Sequence, residues 1–156
     1  MRGLAREWGF RSEGFRKAVH AGSIFALFAV LPLLIYGWIN SRLPLPATFW
    51  LVMVLYPVWG LGQQFALQAL ITKNLEIFIS GLWPRIIVAS LIFSAAHFPN
   101  YPLMLLTLVA GISFSWIYLK YRNLWAIGII HGFLGALAYY LVLGADPGAQ
   151  IMRLFL

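Results

Sequence analysis

Apolar residues fill four long stretches of the chain that contain no charged side chain. The stretches are Ala21–Ser41, Leu43–Thr72, Ile86–Leu119 and Asn123–Ala145, and together they hold 108 of the 156 residues. A membrane-spanning helix needs about 20 predominantly apolar residues. Because prolines and short polar segments divide these stretches further, the pattern predicts an all-α polytopic membrane protein with about five transmembrane helices.

The third of the predicted spans is unusually short. The five spans are predicted over residues 24–40, 47–72, 84–98, 101–119 and 124–143. The fifteen residues 84–98 would form a helix only about 22 Å long, whereas the hydrocarbon core is about 30 Å thick. Either the helix begins earlier, near Ile77, or it ends inside the membrane at residues 97–100. The second case would require backbone that is buried in protein or lines a wet cavity.

Residues 1–20 form a different segment from the transmembrane domain predicted over residues 21–156. Leu4, Trp8, Phe15 and Val19 share one stripe of a helix at 100° per residue, and most of the basic residues lie opposite, although Arg11 breaks the pattern. The pattern predicts a basic amphipathic helix on an anionic membrane surface. A frayed basic tail that only sets the orientation is the alternative.

Composition narrows the class of protein further. Hydrophobic residues make up 62% and charged residues 10% of the chain, whereas soluble domains contain about 45–50% apolar and about 25% charged residues. These values exclude a soluble enzyme. The chain has no cysteine, which excludes disulfides, iron–sulfur clusters and thiolate metal sites.

The net charge of +7 follows membrane topology and does not indicate a nucleic-acid partner. With the N-terminus inside, only Arg42 and Arg153 of the eleven basic residues fall outside. Basic residues concentrate on the cytoplasmic side of membrane proteins. We therefore predict a multi-pass protein of the bacterial inner membrane with a cytoplasmic N-terminus, membrane lipids as partners and no nucleic acid.

Polar side chains occur inside the predicted spans, where each needs a partner. They are three amides on the second span (Gln63, Gln64, Gln68), His97 at the end of the third span and His131 within the fifth. A single intramembrane amide often only joins helices, at about 0.6 kcal/mol, and a lone histidine is more often a packing residue than a catalyst. Together, however, the five side chains would form a sizeable polar centre, and we expect them to converge.

Small residues flank these polar groups at a spacing typical of closely packed helices. Gly128 and Gly132 form a Gly-x-x-x-Gly pair around His131, and Gly111 and Ser115 form the equivalent pair on the fourth span. Such pairs usually mark helix contacts without further function.

Three motifs in order resemble those of the CPBP intramembrane proteases, the group of type II CAAX prenyl endopeptidases and bacteriocin-processing proteins also called Abi. The segment 63–68 is similar to the family's Glu-Glu-x-x-x-Arg motif, residues 93–97 match Phe-x-x-x-His, and the segment 123–131 looks like the stretch that leads into His-x-x-x-Asn/Asp. The order and spacing agree over about residues 56–137. The resemblance implies a family-like helical core with these catalytic positions: Gln63, Gln64, Gln68, His97 and His131.

The departures from the family pattern bear on chemistry. Gln63 and Gln64 replace both glutamates, Gln68 replaces the arginine, and Gly135 replaces the Asn/Asp. In the family a glutamate is thought to activate water for peptide hydrolysis, assisted by the histidines. An amide can orient a water molecule but cannot take its proton. Loss of the glutamates together with the arginine also replaces a buried charged cluster by neutral groups.

Three functions therefore stay open: a divergent endopeptidase in which His97 and His131 flank a water held by Gln64, a pseudoprotease that binds its target uncut, and a structural subunit of a larger membrane complex. By resemblance, the substrate or partner would be a transmembrane or prenylated peptide. Two histidines without a nearby carboxylate make a poor zinc set, because catalytic zinc usually has three protein ligands. We predict no cofactor and no metal.

Overall fold

The computed structural model describes residues 2–154, with the backbone alone for Arg2, and all regular structure in this part of the chain is helical. The seven α-helices are α1 (Arg2–Glu7), α2 (Phe15–Ile39), α3 (Thr48–Gln64), α4 (Leu82–Ala95), α5 (Tyr101–Tyr121), α6 (Leu124–Ala138) and α7 (Pro147–Met152). Two of them continue as π-helices: α3 through Phe65–Thr72, and α6 through Tyr139–Leu143. A 3₁₀ turn, Asn74–Ile77, follows the first π-helix. The prediction of an all-α fold is confirmed.

Within residues 2–154, four helical segments are long and apolar enough to cross a membrane. They are Phe15–Ile39, Thr48–Ile77, Tyr101–Tyr121 and Leu124–Leu143. Four of the five predicted spans therefore have the required length, and the chain is an integral membrane protein. The first span begins earlier than the predicted residue 24, because α2 continues back to Phe15 through a basic first turn.

The short third span is α4, which has 14 residues and is therefore about 21 Å long. It begins at Leu82, with Pro84 in its first turn as predicted, and it is separate from the Asn74–Ile77 turn. The explanation that the helix begins near Ile77 is therefore wrong. Beyond Ala95 the chain makes short turns, in which the His97 N–H donates to the Ser94 carbonyl (3.0 Å).

The N-terminal segment is not the single helix that we predicted over residues 1–20. α1 ends at Glu7 and α2 begins at Phe15, and Gly9 and Gly14 between them have φ values of 102° and 73°. Glycine adopts such angles without a steric penalty. Whether this segment lies on the membrane surface stays a prediction.

Tertiary hydrogen bonds replace the helical ones that the N-terminal segment lacks. The Leu124 N–H donates to the Gly9 carbonyl (2.9 Å), and the Arg11 guanidinium donates to the Arg122 carbonyl (2.9 Å). The Asn123 amide also donates to the Glu13 carbonyl (3.2 Å). These bonds explain why Arg11 does not fit the amphipathic pattern: it binds the α5–α6 junction.

Glycines bring α3 and α6 into backbone contact. A Cβ atom on Gly60 would lie 2.5 Å from the Gly132 nitrogen, and one on Gly132 would lie 2.5 Å from the Pro57 Cα. The predicted close packing at Gly128 and Gly132 is thus present, with Gly60 as its partner on α3. Because Gly60 precedes Gln63 by almost one turn, this approach brings the predicted site residues of α3 next to those of α6.

Candidate functional site

Gln63 and His131 form a direct contact across the α3–α6 interface. The Nε2 atom of His131 lies 3.0 Å from the Oε1 atom of Gln63. An amide oxygen accepts hydrogen bonds, so in this arrangement His131 donates from Nε2. The imidazole is 7% exposed and lies between the rings of Phe93 and Phe114, at centroid distances of 5.7 and 5.6 Å.

His97 lies two residues beyond the end of α4 and also contacts Phe93. Its ring meets the Phe93 ring edge-on at a centroid distance of 5.0 Å. Its Nδ1 atom lies 2.7 Å from the Phe93 carbonyl oxygen. A carbonyl can only accept, so Nδ1 donates the hydrogen in this bond. Phe93 therefore contacts both histidines that the sequence predicted as site residues.

A cavity of about 250 Å³ adjoins this cluster. It lies between the first π-helix and α4, and its lining consists of Gln63, Ala66, Leu67, Ile71, Ile92, Phe93, Ala96 and His97. Ala66, Ile92 and Ala96 are exposed on the protein surface. The cavity is therefore accessible from outside the bundle, and both Gln63 and His97 line it.

Gln64 and Gln68 form a second polar group, which is completely buried. The Gln68 Nε2 atom donates to Gln64 Oε1 (3.1 Å) and to the Ser115 hydroxyl oxygen (3.1 Å). All three side chains are 0% exposed. Two atoms in this group, Gln64 Nε2 and Gln68 Oε1, have no hydrogen-bond partner among the described residues.

The five predicted site residues thus belong to two groups instead of one centre. The amide that binds His131 is Gln63, whereas the hydrogen bond of Gln64 goes to Gln68, so Gln63 takes the place that we predicted for Gln64. Successive residues of a helix differ by about 100° in direction. When Gln63 faces α6, Gln64 must therefore face another neighbour.

Two participants were not predicted from the sequence as site residues. Ser115 was interpreted only as a small packing residue, although the Gly111–Ser115 spacing did indicate a close contact there. Phe93 was quoted only as the first residue of a motif. An aromatic residue four positions before a histidine on a helix lies on the same face, and this signal could have found it.

The side chains of Gln63, His97 and His131 offer hydrogen-bond donors and acceptors. Gly135, one turn after His131, brings no side chain to the third motif, and a Cβ there would lie 3.6 Å from the Tyr56 ring, which is an ordinary contact. No group of three or more His, Cys, Asp or Glu residues that could hold a metal ion occurs within residues 2–154.

Comparison with known proteins places this site in a family. The family model described as "Type II CAAX prenyl endopeptidase Rce1-like" matches residues 43–137, which is more than half of the chain and includes Gln63, His97 and His131. No curated protein and no solved structure gave a significant match. The predicted membership of the CPBP proteases is therefore confirmed, and the chain belongs to the Rce1-like family of type II CAAX prenyl endopeptidases.

Proposed function

We propose that this chain is a CAAX-protease homologue whose hydrolytic activity is impaired and which binds a prenylated or transmembrane peptide at the cavity beside Gln63 and His97. The observation that carries the proposal is the 3.0 Å contact between Gln63 and His131. It occurs at the position where the family motif has its first glutamate. The contact joins two of the motif positions, but the Gln63 amide cannot take a proton.

The missing base limits catalysis in a specific way. A water molecule that attacks a peptide carbonyl must lose a proton, and a carboxylate beside a histidine can accept it. The oxygen of the Gln63 amide can accept a hydrogen bond but not a proton near neutral pH. Only the two imidazoles remain as bases, and the described hydrogen bond of His131 already uses its Nε2 atom.

Binding of a peptide, in contrast, needs no base. It needs an apolar surface and hydrogen-bonding groups, and the cavity has both. Its wall combines apolar side chains with the Gln63 amide and the His97 ring. Amide and imidazole groups can both accept and donate hydrogen bonds to a peptide backbone. Ligand sites typically have this composition, an apolar lining with few polar groups that fix orientation.

The test uses the purified chain in lipid nanodiscs with a fluorogenic farnesylated CaaX peptide. We expect the natural chain to bind the peptide without cleaving it. The variant Gln63→Glu/Gln64→Glu/Gln68→Arg should gain turnover, because it restores a titratable base together with a balancing cation. Adding His131→Ala to this variant, as the matched control, should abolish the gain.

Two results would contradict the proposal. Cleavage by the natural chain that His97→Ala abolishes would identify histidine as the base of an active, divergent endopeptidase. Absence of peptide binding, together with purification in a fixed stoichiometry with another membrane protein, would favour the non-catalytic subunit of a membrane complex instead.

We also propose that the N-terminus is cytoplasmic and that the membrane is the bacterial inner membrane. In support, basic residues from distant parts of the chain gather at one end of the bundle: Glu76 lies 3.1 Å from Arg85 and 3.6 Å from Arg122, and Glu7 lies 3.7 Å from Lys73. Because the chain has no cysteine, single cysteines at positions 2 and 146 can be labelled selectively. Labelling of both positions from the same side would contradict this orientation.

A further inference from the structure

An apolar groove runs between α2 and α6, and neither His97 nor His131 lines it. Its volume is about 530 Å³. On α2 it is lined by Phe15, Val19, Ser23, Ala26, Leu27 and Val30, and on α6 by side chains between Ala126 and Leu137. His131, on α6, is not among the lining residues. The groove and the candidate site therefore use different faces of the same helix.

The two walls of the groove begin at the same end of the bundle. The Leu124 N–H donates to the Gly9 carbonyl, and the Asn123 amide donates to the Glu13 carbonyl, so the first turns of α2 and α6 lie side by side. From Phe15 to Val30 the groove rises by about 22 Å along α2. One leaflet of the hydrocarbon core is about 15 Å thick. The groove is thus long enough for a complete acyl chain.

Arg16 lies in line with the groove, at the end where the groove begins. Arg16 precedes Val19, Ser23 and Val30 by three, seven and fourteen residues, which places all four on one stripe of α2. Arg16 is exposed, and its long side chain can extend toward the membrane surface while its stem stays on apolar residues.

No acidic side chain compensates Arg16 within the described residues. Glu13 pairs with Arg6, Glu7 pairs with Lys73, and Glu76 lies near Arg85 and Arg122. Lys17 and His20 are also exposed beside Arg16. The charged end of the groove therefore favours an anion, and the remainder favours a hydrocarbon chain.

We propose that this groove binds one acyl chain of an anionic glycerophospholipid, whose headgroup phosphate is bound by Arg16. A peptide would find only the Ser23 hydroxyl as a polar partner among the lining side chains, whereas an acyl chain needs none. A basic residue at a membrane surface attracts anionic lipids, and the groove adds an apolar site directly below it. This lipid site does not depend on the proposed peptide site at Gln63 and His97.

The experiment uses a single reporter cysteine in the otherwise cysteine-free chain. Leu27→Cys, at a groove residue that is 74% exposed, carries a small fluorophore, and the protein is reconstituted with increasing fractions of brominated phosphatidylglycerol or brominated phosphatidylcholine. We expect phosphatidylglycerol to reach half-maximal quenching at an about fivefold lower lipid fraction than phosphatidylcholine. A preference of this size is expected from one basic residue that attracts anionic lipid near the membrane surface. Arg16→Gln should abolish this preference, whereas Arg153→Gln should leave it unchanged.

A reporter outside the groove serves as the control for ordinary surrounding lipid. Val54→Cys lies on α3, is equally exposed at 74%, and should be quenched at the same fraction of either lipid. Native mass spectrometry of the unlabelled chain provides the second measurement: phosphatidylglycerol adducts should outlast phosphatidylcholine adducts, and Arg16→Gln should remove the difference.

Three results would overturn the proposal. Equal quenching by both lipids at position 27 would mean that the groove holds only ordinary surrounding lipid. A preference that survives Arg16→Gln would place the headgroup elsewhere. Efficient disulfide formation between Leu27→Cys chains in the membrane would show that a second copy of the chain covers the groove.

Discussion

Gln63 and Gln64 are neighbours in the chain with the same side chain, yet they lie in opposite environments. Gln63 is half-buried, contacts His131 and lines a cavity. Gln64 is fully buried, and its only side-chain hydrogen bond among the described residues is with another amide, Gln68, which in turn binds Ser115. The first group can meet a ligand, whereas the second joins helices. The type of residue inside a membrane span therefore does not reveal whether its side chain belongs to a functional site or to a structural contact. The direction of the side chain decides this.

The two groups also differ in what holds them in place. The Gln63–His131 contact crosses the α3–α6 interface and depends on backbone contact at Gly60 and Gly132. The buried amides connect the end of α3 and its π-helix to Ser115 on α5. Substitutions should therefore affect the two groups separately.

The largest effect is expected at the helix contact itself. Gly60→Ala would bring a methyl group against the backbone of Gly132, which cannot move aside as a flexible side chain would. We expect a loss of about 3 kcal/mol in the free energy of unfolding, measured by circular dichroism in mixed detergent micelles. Gly62→Ala is the matched control, because nothing lies within 4 Å of its Cβ position. Equal stability of the two variants would contradict the close approach.

The next largest effect should come from the buried amides. Gln68→Leu removes the only described partner of Gln64 and leaves it buried, so we expect a loss of about 2 kcal/mol in the free energy of unfolding. The double variant Gln64→Leu/Gln68→Leu should lose clearly less than the sum of the two single variants, because no unpaired amide remains. Simple additivity in this double-mutant cycle would show that the two amides do not interact.

A smaller effect is expected at Gln63. Gln63→Leu removes one hydrogen bond beside a cavity, where water can replace the lost partner, so we expect about 0.6 kcal/mol. The same unfolding measurement tests this value against that for Gln68→Leu. A larger loss of stability for Gln63→Leu than for Gln68→Leu would contradict the interpretation that an amide beside the cavity matters less for stability than an amide in the buried pair.

The smallest effect is expected at Asp146, whose carboxylate lies beyond the end of the π-helix that continues α6. Burial raises the pKa of Asp146, but hydrogen bonds from Tyr140, Ala149 and Thr48 outweigh it and hold the pKa below its usual value of 3.8. A lowered pKa in the folded state contributes stability above the ordinary value, and this contribution is lost as the pH falls through the lower folded value. Neutral amides contribute nothing of this kind.

The Asp146 prediction can be measured as a difference between two pH profiles. The natural chain should lose thermal stability below about pH 4, and Asp146→Asn should flatten part of this acid limb while its stability at pH 7 is slightly lower. An identical acid limb in both proteins would exclude Asp146 as its source. The Tyr140 hydroxyl, 2.6 Å from Asp146 Oδ1, provides a second position for testing the same cluster, through Tyr140→Phe.

Much of the candidate site could be predicted, because its positions lie in motifs with fixed spacing. Gln63, His97 and His131 were all identified from the sequence, and Gly128 and Gly132 were recognised as a packing pair. The choice between Gln63 and Gln64 could not be predicted, since consecutive helical residues differ by about 100° and the sequence does not reveal which one faces α6. Ser115 was missed for a similar reason: its hydroxyl acquires a partner only when α5 packs on the end of α3.

The sequence by itself determined the class of protein and four of the spans. Long uncharged stretches must be helical in a membrane, because no water is present there to satisfy the backbone. Only the tertiary structure decided how the N-terminal segment folds and which amide meets His131. Trp8, Arg11 and Glu13 instead form hydrogen bonds with the α5–α6 junction, which is more than 100 positions away in the chain. A local pattern carries no information about a partner at that distance, so the continuous helix that the stripe predicted was replaced.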